Sequence, residues 1–248
     1  MSHNCRRYRA LVEYDGTDFL GYQIQAQGRT VQGEIEKALG KVTQSKIRID
    51  GAGRTDAGVH ATGQVIAFNT IWRHSVEDLH RALNATLPPD IIVSDLKITD
   101  KAFHPRFDAL SRTYQYTIIN QAWPSVLYRR SMYHLRKRLN VTAMHQASRF
   151  LLGSHDFASF GKPPQGEITV RRVTQADWIV DDNRLIFEIT ANAFLYRMVR
   201  TIVGTLIQVG LGELAAEQVK TIIEAQDLTR SAPPAPPHGL CLVRVTYP

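Results

Sequence analysis

Residues 51–61 read Gly-Ala-Gly-Arg-Thr-Asp-Ala-Gly-Val-His-Ala and set Arg54, Asp56 and His60 on a backbone too rich in glycine for a helix or a strand. A carboxylate at Asp56 can act as a nucleophile or as a base, or it can hydrogen-bond the backbone of its own loop. Two phosphate-binding readings fail on the residues present. A dinucleotide fingerprint of the form GxGxxG would need Gly or Ala where Asp56 stands. A triphosphate-binding loop would need a Gly-Lys-Ser/Thr that does not follow. A plain hairpin connection needs one or two glycines, whereas residues 51–63 hold Gly51, Gly53, Gly58 and Gly63. Glycine at that density indicates a backbone passing close to something bulky. His60, a lone histidine after a loop, reads as a hydrogen-bonded scaffold residue.

The flanking elements must hold this loop in place. Residues 7–14 alternate charged and apolar side chains, as a strand with one buried face does. Asp15-Gly16 signals a turn. Val31, Ile35, Ala38, Leu39 and Val42 then fall on one helical face, with Thr30 placed to cap it. Residues 46–50 alternate again, and a strand over 64–69 follows the glycine-rich stretch. Ser75 and Asp78 fit a capping box for a helix carrying Val76, Leu79 and Leu83, which Pro88-Pro89 stop. A strand over 91–98 completes the order β-α-β-β-α-β.

The second half predicts the same order: a strand over 111–119, a helix over 141–152 ended by Gly153, and strands over 170–180 and 185–191. A long helix follows, carrying Leu195, Met198, Val199, Ile202, Val203 and Leu206, then a shorter one over 219–225 and a last strand over 240–247. Two such units make an α+β protein of two ferredoxin-like halves, with antiparallel sheets and a cleft between them. The boundary is expected after residue 104, giving 1–104 with the aspartate loop and 105–248 with a basic surface.

With 248 residues and 44% hydrophobic side chains, the chain can bury a substantial core. No window approaches the ~18 consecutive apolar residues of a membrane span, and the polar residues 1–9 do not read as a signal peptide. Cys5 and Cys241 are the two cysteines. They offer neither a disulfide framework nor a cysteine zinc site, and they suit a reducing cytoplasm. The formal net charge of +7 suggests a polyanionic partner. Its distribution says more: no Asp or Glu occurs between Asp108 and Asp156, a stretch holding Arg112, Arg129, Arg130, Arg136, Lys137, Arg138 and Arg149. Tyr114, Tyr116, Tyr128 and Tyr133 lie among those cations, a combination suited to stacking bases and neutralising phosphates of looped RNA.

The motif at residues 51–61 resembles the catalytic motif of the TruA family, the tRNA pseudouridine synthases. Further blocks resemble the same family in the same order: Tyr14-Asp15-Gly16-Thr17, Thr30-Val31-Gln32-Gly33-Glu34, Phe103-His104-Pro105-Arg106-Phe107, Arg112-Thr113-Tyr114-Gln115-Tyr116, residues 192–200, and His238-Gly239-Leu240. The resemblance spans about residues 8–247. Cys241 departs from it, standing where an aromatic is common.

The resemblance implies isomerisation of uridine to pseudouridine at positions 38, 39 and 40 of the tRNA anticodon stem-loop. The N1–C1′ bond breaks and C5 bonds to the same sugar carbon, which requires no cofactor, metal or energy source. Asp56 matches the catalytic aspartate, as nucleophile or base. Arg200 matches the basic partner that would keep it ionised, lying off the apolar stripe of its own helix, whereas Arg197 reads as solvated. Tyr114 matches the tyrosine that packs on the target uracil, while Tyr116, on the same strand face, is assigned to structure. Arg54 matches the loop arginine that would hold the strand once the nucleotide is extruded, at a cost of roughly a few kcal/mol. Arg129, Arg130, Arg136, Lys137 and Arg138 would bind the tRNA body through its phosphates. Family members are similar in acting as homodimers, without a membrane.

Two rival readings remain. A non-catalytic RNA-binding module of related fold lacks its usual aromatic signature here. A synthase acting on other RNA uridines has the same catalytic set.

Overall fold

A computed structural model describes residues 5–163 and 166–248. Residues 1–4, part of the polar start read as lacking a signal peptide, lie outside the described residues. Among the described residues the protein is mixed α+β, with mostly antiparallel strand pairing and five α-helices. It divides into two compact units, Met1–Leu110 with Leu242–Pro248, and Ser111–Cys241.

The first unit runs β1 (Arg6–Tyr14), α1 (Val31–Thr43), β2 (Ile49–Gly51), β3 (His60–Thr70), α2 (Val76–Thr86) and β4 (Ile91–Ile98). The strands lie in the order β4-β1-β3, with β2 also on β3. On β1 the alternation holds: Tyr8, Ala10, Val12 and Tyr14 are buried while Leu11 and Glu13 are exposed. Thr30 caps α1 by accepting from the Gly33 amide. The capping box of α2 is complete, each of Ser75 and Asp78 accepting from the other's backbone amide. Apolar side chains of both helices, Val31, Ile35, Leu39, Leu79 and Leu83, are fully buried.

Residues 242–248 belong to this unit, which corrects their expected place in the second half. They carry most of β10 (Leu240–Thr246), which neighbours β3. The approach is close: an ideal Cβ on Gly63 would lie 2.2 Å from the Val243 carbonyl oxygen.

The second unit contains β5 (Ser111–Ile119), β6 (Tyr133–His134), α3 (Val141–Ser148), β7 (Gly153–Asp156), β8 (Val170–Asp181), β9 (Arg184–Ala191), α4 (Met198–Gly210) and α5 (Gln218–Ala225). Its main strands lie in the order β5-β9-β8-β7. Two short strands escape the periodic pattern. β6 pairs parallel with the end of β5, and β7 pairs antiparallel with β8. Helix α3 ends at Ser148 and tightens into a 3-10 turn over Arg149–Leu151. Helix α4 starts at Met198, later than the apolar spacing suggests, because Arg197 takes a left-handed conformation (φ 61°) that breaks the helical run from Leu195.

Among the described residues no helix is long and apolar enough to cross a membrane. Nor do His, Cys, Asp and Glu side chains gather there in a group of three or more suited to a metal ion.

Candidate active site

The loop between β2 and β3 carries Arg54 and Asp56 and is fastened from three sides within the first unit. From β3, Gln64 is fully buried and accepts from the Gly53 amide (3.3 Å) while donating to the Gly53 carbonyl (2.8 Å). From β1, the Tyr14 hydroxyl shares a buried hydrogen bond with the Thr55 hydroxyl at 2.7 Å. From the segment after β1, the Tyr22 amide donates to the Thr55 carbonyl. The Val59 amide closes a turn on the Asp56 carbonyl at 3.2 Å. Held in this way, Arg54 is exposed and Asp56 half-buried at the turn.

The glycines have a steric reason. The Tyr22 ring lies against Gly51, where an ideal Cβ would sit 2.3 Å from the phenolic oxygen. Gly16 passes closer still to the loop, its ideal Cβ falling 2.0 Å from the Val59 carbonyl oxygen. No side chain fits there without moving backbone. Burial pushes the Tyr22 phenol well above its ordinary pKa, with Tyr14 and Glu36 adding to the effect. Tyr22 is therefore a neutral packing element under the loop.

His60 is buried, and its Nδ1 accepts from the Gly16 amide at 3.0 Å and lies 3.2 Å from Asp15 Oδ1. It ties the Asp15-Gly16 turn to the end of the loop, the scaffold role read from the sequence. The block Tyr14-Asp15-Gly16-Thr17 thus cradles the loop. Sequence reasoning missed Gln64, although a lone glutamine heading an otherwise apolar run (Val65, Ile66, Ala67, Phe68) is the signal that would have found it.

In the second unit, Tyr114 is 8% exposed on β5, and its ring meets Phe194 edge-on at 5.2 Å. Tyr116, on the same face, is fully buried and donates its hydroxyl to the Pro236 carbonyl at 2.9 Å. Burial first, then the neighbouring Tyr133, push its phenol far up, while Arg200 works in the opposite direction. Arg200, half-buried on α4, donates Nε to the Ala235 carbonyl at 2.8 Å, and its own carbonyl accepts from the Ala235 amide at 2.9 Å. The proline-rich loop thereby brackets Arg200. Arg197 is exposed, its guanidinium 4.9 Å from the Tyr196 ring.

Arg129, Arg130, Arg136, Lys137 and Arg138 are all exposed. Asn120 anchors their segment, donating to the Leu135 and Lys137 carbonyls (2.8 Å each) and accepting from the Leu139 amide. Lys137 approaches Glu213 at 4.0 Å, both side chains open to solvent, a pair of little energetic weight. Asp56 and Arg54 thus belong to the first unit; Tyr114, Arg200 and the five basic residues belong to the second.

The chain matches the family described as tRNA pseudouridine synthase over residues 10–108 and 147–248. Arg54, Asp56 and Arg200 fall inside those spans; Tyr114 and the basic segment fall between them. It is 43% identical to the tRNA pseudouridine synthase A of Bacillus subtilis (strain 168) over 244 residues, covering 97% of this chain and 99% of that protein. The tRNA pseudouridine synthase A of Anoxybacillus flavithermus is 42% identical over 98% of this chain and 99% of its own length. That of Thermosipho melanesiensis is 43% identical over 98% of this chain and 100% of its own. A family match across most of the chain, with relatives above 40% identity along nearly its whole length, establishes that the chain belongs to the tRNA pseudouridine synthase family.

Proposed function

We propose that this chain isomerises uridine to pseudouridine in tRNA, at positions 38, 39 and 40 of the anticodon stem-loop. The observation that carries the reading is the aspartate loop itself. Asp56 stands half-buried on a turn whose backbone is fastened by Gln64, Tyr14, Tyr22 and His60. Such preorganisation is what a group acting on a sugar carbon requires.

Asp56 acts as nucleophile or base towards the ribose of the target nucleotide. The N1–C1′ bond breaks, the uracil turns, and C5 bonds to C1′; the C5 proton is lost and N1 gains one, so the reaction is a balanced isomerisation. The chemistry draws on neither a cofactor nor a metal. Arg200 keeps the carboxylate ionised when the extruded base excludes water. Tyr114 stacks on the uracil and assists removal of the C5 proton. Arg54, exposed beside Asp56, holds the phosphate of the extruded strand.

The first unit supplies the catalytic loop and the second a basic surface, where Arg129, Arg130, Arg136, Lys137 and Arg138 bind the tRNA body. Each unit is read as ferredoxin-like, supported in the first by the β-α-β-β-α-β order and the strand order β4-β1-β3-β2. The enzyme works in the cytoplasm as a homodimer.

The test is release of C5 tritium from uridine-labelled tRNA transcript. Wild type is expected to release it, and Asp56→Asn to bind tRNA within a small factor of wild type without release. Comparable turnover by Asp56→Asn would remove Asp56 from the mechanism.

A further inference from the structure

In the second unit, β9 ends at Ala191 and α4 begins at Met198. The connection between them is fastened at both ends. Asn192 donates its amide to the Arg172 carbonyl at 3.1 Å, and its side-chain oxygen accepts from the Arg172 and Ala193 amides at 2.9 and 3.0 Å. The Asn192 carbonyl accepts from the Arg112 guanidinium at 2.9 Å. Further on, the Tyr196 amide donates to the Lys162 carbonyl at 2.8 Å. The two backbones run close there, since an ideal Cβ on Gly161 would lie 2.5 Å from the Tyr196 carbonyl oxygen. Leu195 is buried. Phe194 is thus carried by a segment with little freedom to move.

The Phe194 ring meets Tyr114 edge-on, with centroids 5.2 Å apart and planes at 89°. Strand pairing does not make this contact, because β5 sets Tyr114 opposite Ile189; the connection after β9 makes it. Nor does core packing account for the ring. Phe157, Phe160 and Phe187 are fully buried, whereas Phe194 is half-exposed. The χ2 torsion of a tyrosine has broad wells, so the plane of its ring is set by what packs against it. Perpendicular contact is a favoured aromatic geometry and fixes that plane. A planar base stacks productively only on a ring already held in the right orientation.

We propose that Phe194 is a positioning residue for the isomerisation: it holds the Tyr114 ring in the plane in which that ring stacks on the target uracil. The inference rests on the role given to Tyr114 above and adds the residue that orients it. Asn192, Gly161 and Lys162 act one step further back, by holding the segment that carries Phe194. The same connection leads into α4 and Arg200, so one short stretch of backbone places both side chains.

The test is single-turnover release of C5 tritium from labelled tRNA by the full-length protein, with tRNA affinity and urea unfolding measured alongside. Phe194→Leu keeps an apolar side chain and removes the ring. It is expected to slow release roughly 3- to 10-fold, the worth of one aromatic pair, while tRNA affinity stays close to wild type and unfolding stays cooperative. Phe194→Tyr keeps the ring and is expected to restore the wild-type rate. Slow release by Phe194→Leu with affinity kept, and rescue by Phe194→Tyr, supports the proposal. A loss confined to affinity or to the urea midpoint, with release unchanged, overturns it, because the ring then only packs or holds RNA. A Phe194→Tyr protein as slow as Phe194→Leu overturns it too. Tyr114→Leu separates this inference from the reading it rests on. Slow release by Tyr114→Leu beside wild-type release by Phe194→Leu refutes the role of Phe194 alone. Wild-type release by Tyr114→Leu refutes the role of Tyr114 and the inference with it, and no release by the wild-type protein overturns the functional reading as a whole.

Discussion

Gln64→Met tests whether the aspartate loop is held by its own scaffold. The substitution keeps an unbranched side chain of similar volume in a fully buried position and removes both bonds to Gly53, at 3.3 and 2.8 Å. Two neutral hydrogen bonds contribute about 1 kcal/mol each, and a buried partner left unsatisfied costs more than the bond is worth. Gly53 is half-exposed, so water reaches part of what Gln64 abandons, and the expected destabilisation is about 2–3 kcal/mol. Were about 2 kcal/mol of it to appear in the ordering of Asp56 for reaction, turnover would fall roughly 30-fold. Urea unfolding and tritium release from tRNA read the two quantities on one preparation. Unfolding of Gln64→Met at the wild-type urea midpoint, with turnover within twofold of wild type, would refute a holding role for Gln64. A lowered midpoint with unchanged turnover would show that Tyr14, Tyr22 and His60 suffice to position the loop.

Gly16→Ala forces a Cβ against the Val59 carbonyl. Its backbone neighbour cannot swing aside, so a destabilisation of about 2 kcal/mol or more is expected in thermal or urea unfolding. Replacing Arg136, Lys137 and Arg138 together by Ala should weaken tRNA binding and lower its salt slope by about one for each phosphate these side chains neutralise; an unchanged slope would leave those residues merely solvated. Hydrogen bonding from Ser75, then Arg81, holds the Asp78 carboxyl below its ordinary pKa. The stability it contributes is present above the unfolded-state pKa and is lost as pH falls through the lower folded value. Asp78→Asn should therefore destabilise the protein at neutral pH and approach wild type as acid protonates Asp78, checked by unfolding across pH.

What could be read along the chain was whatever is encoded locally. Thr30 and the Ser75–Asp78 pair cap their helices using atoms three residues away. The alternation of β1 is the direct imprint of one buried face. The glycine density of residues 51–63 announced close approach, and Tyr22 at Gly51 and Val243 at Gly63 are what the backbone passes. The assignment of His60 and Tyr116 to structure likewise needed only their setting, and both side chains are occupied in holding neighbouring segments.

The rest was decided by interactions between residues far apart in sequence, which leave no periodic mark. β6 is two residues long and exists because β5 and Asn120 receive it. That pairing is made by backbone groups, so the basic segment gave no sign of being anchored. Residues 242–248 fold with the first unit, since a strand's own side chains do not name its partner. Helix α4 begins at Met198 because of one left-handed residue, Arg197, that apolar spacing cannot register. Sequence by itself therefore determined the types of the longer elements, the caps, the aspartate motif and the family. The tertiary structure decided which strand meets which and what fastens the loop: hydrophobic periodicity records burial residue by residue, whereas hydrogen-bond partners between distant segments are chosen only when the chain closes on itself.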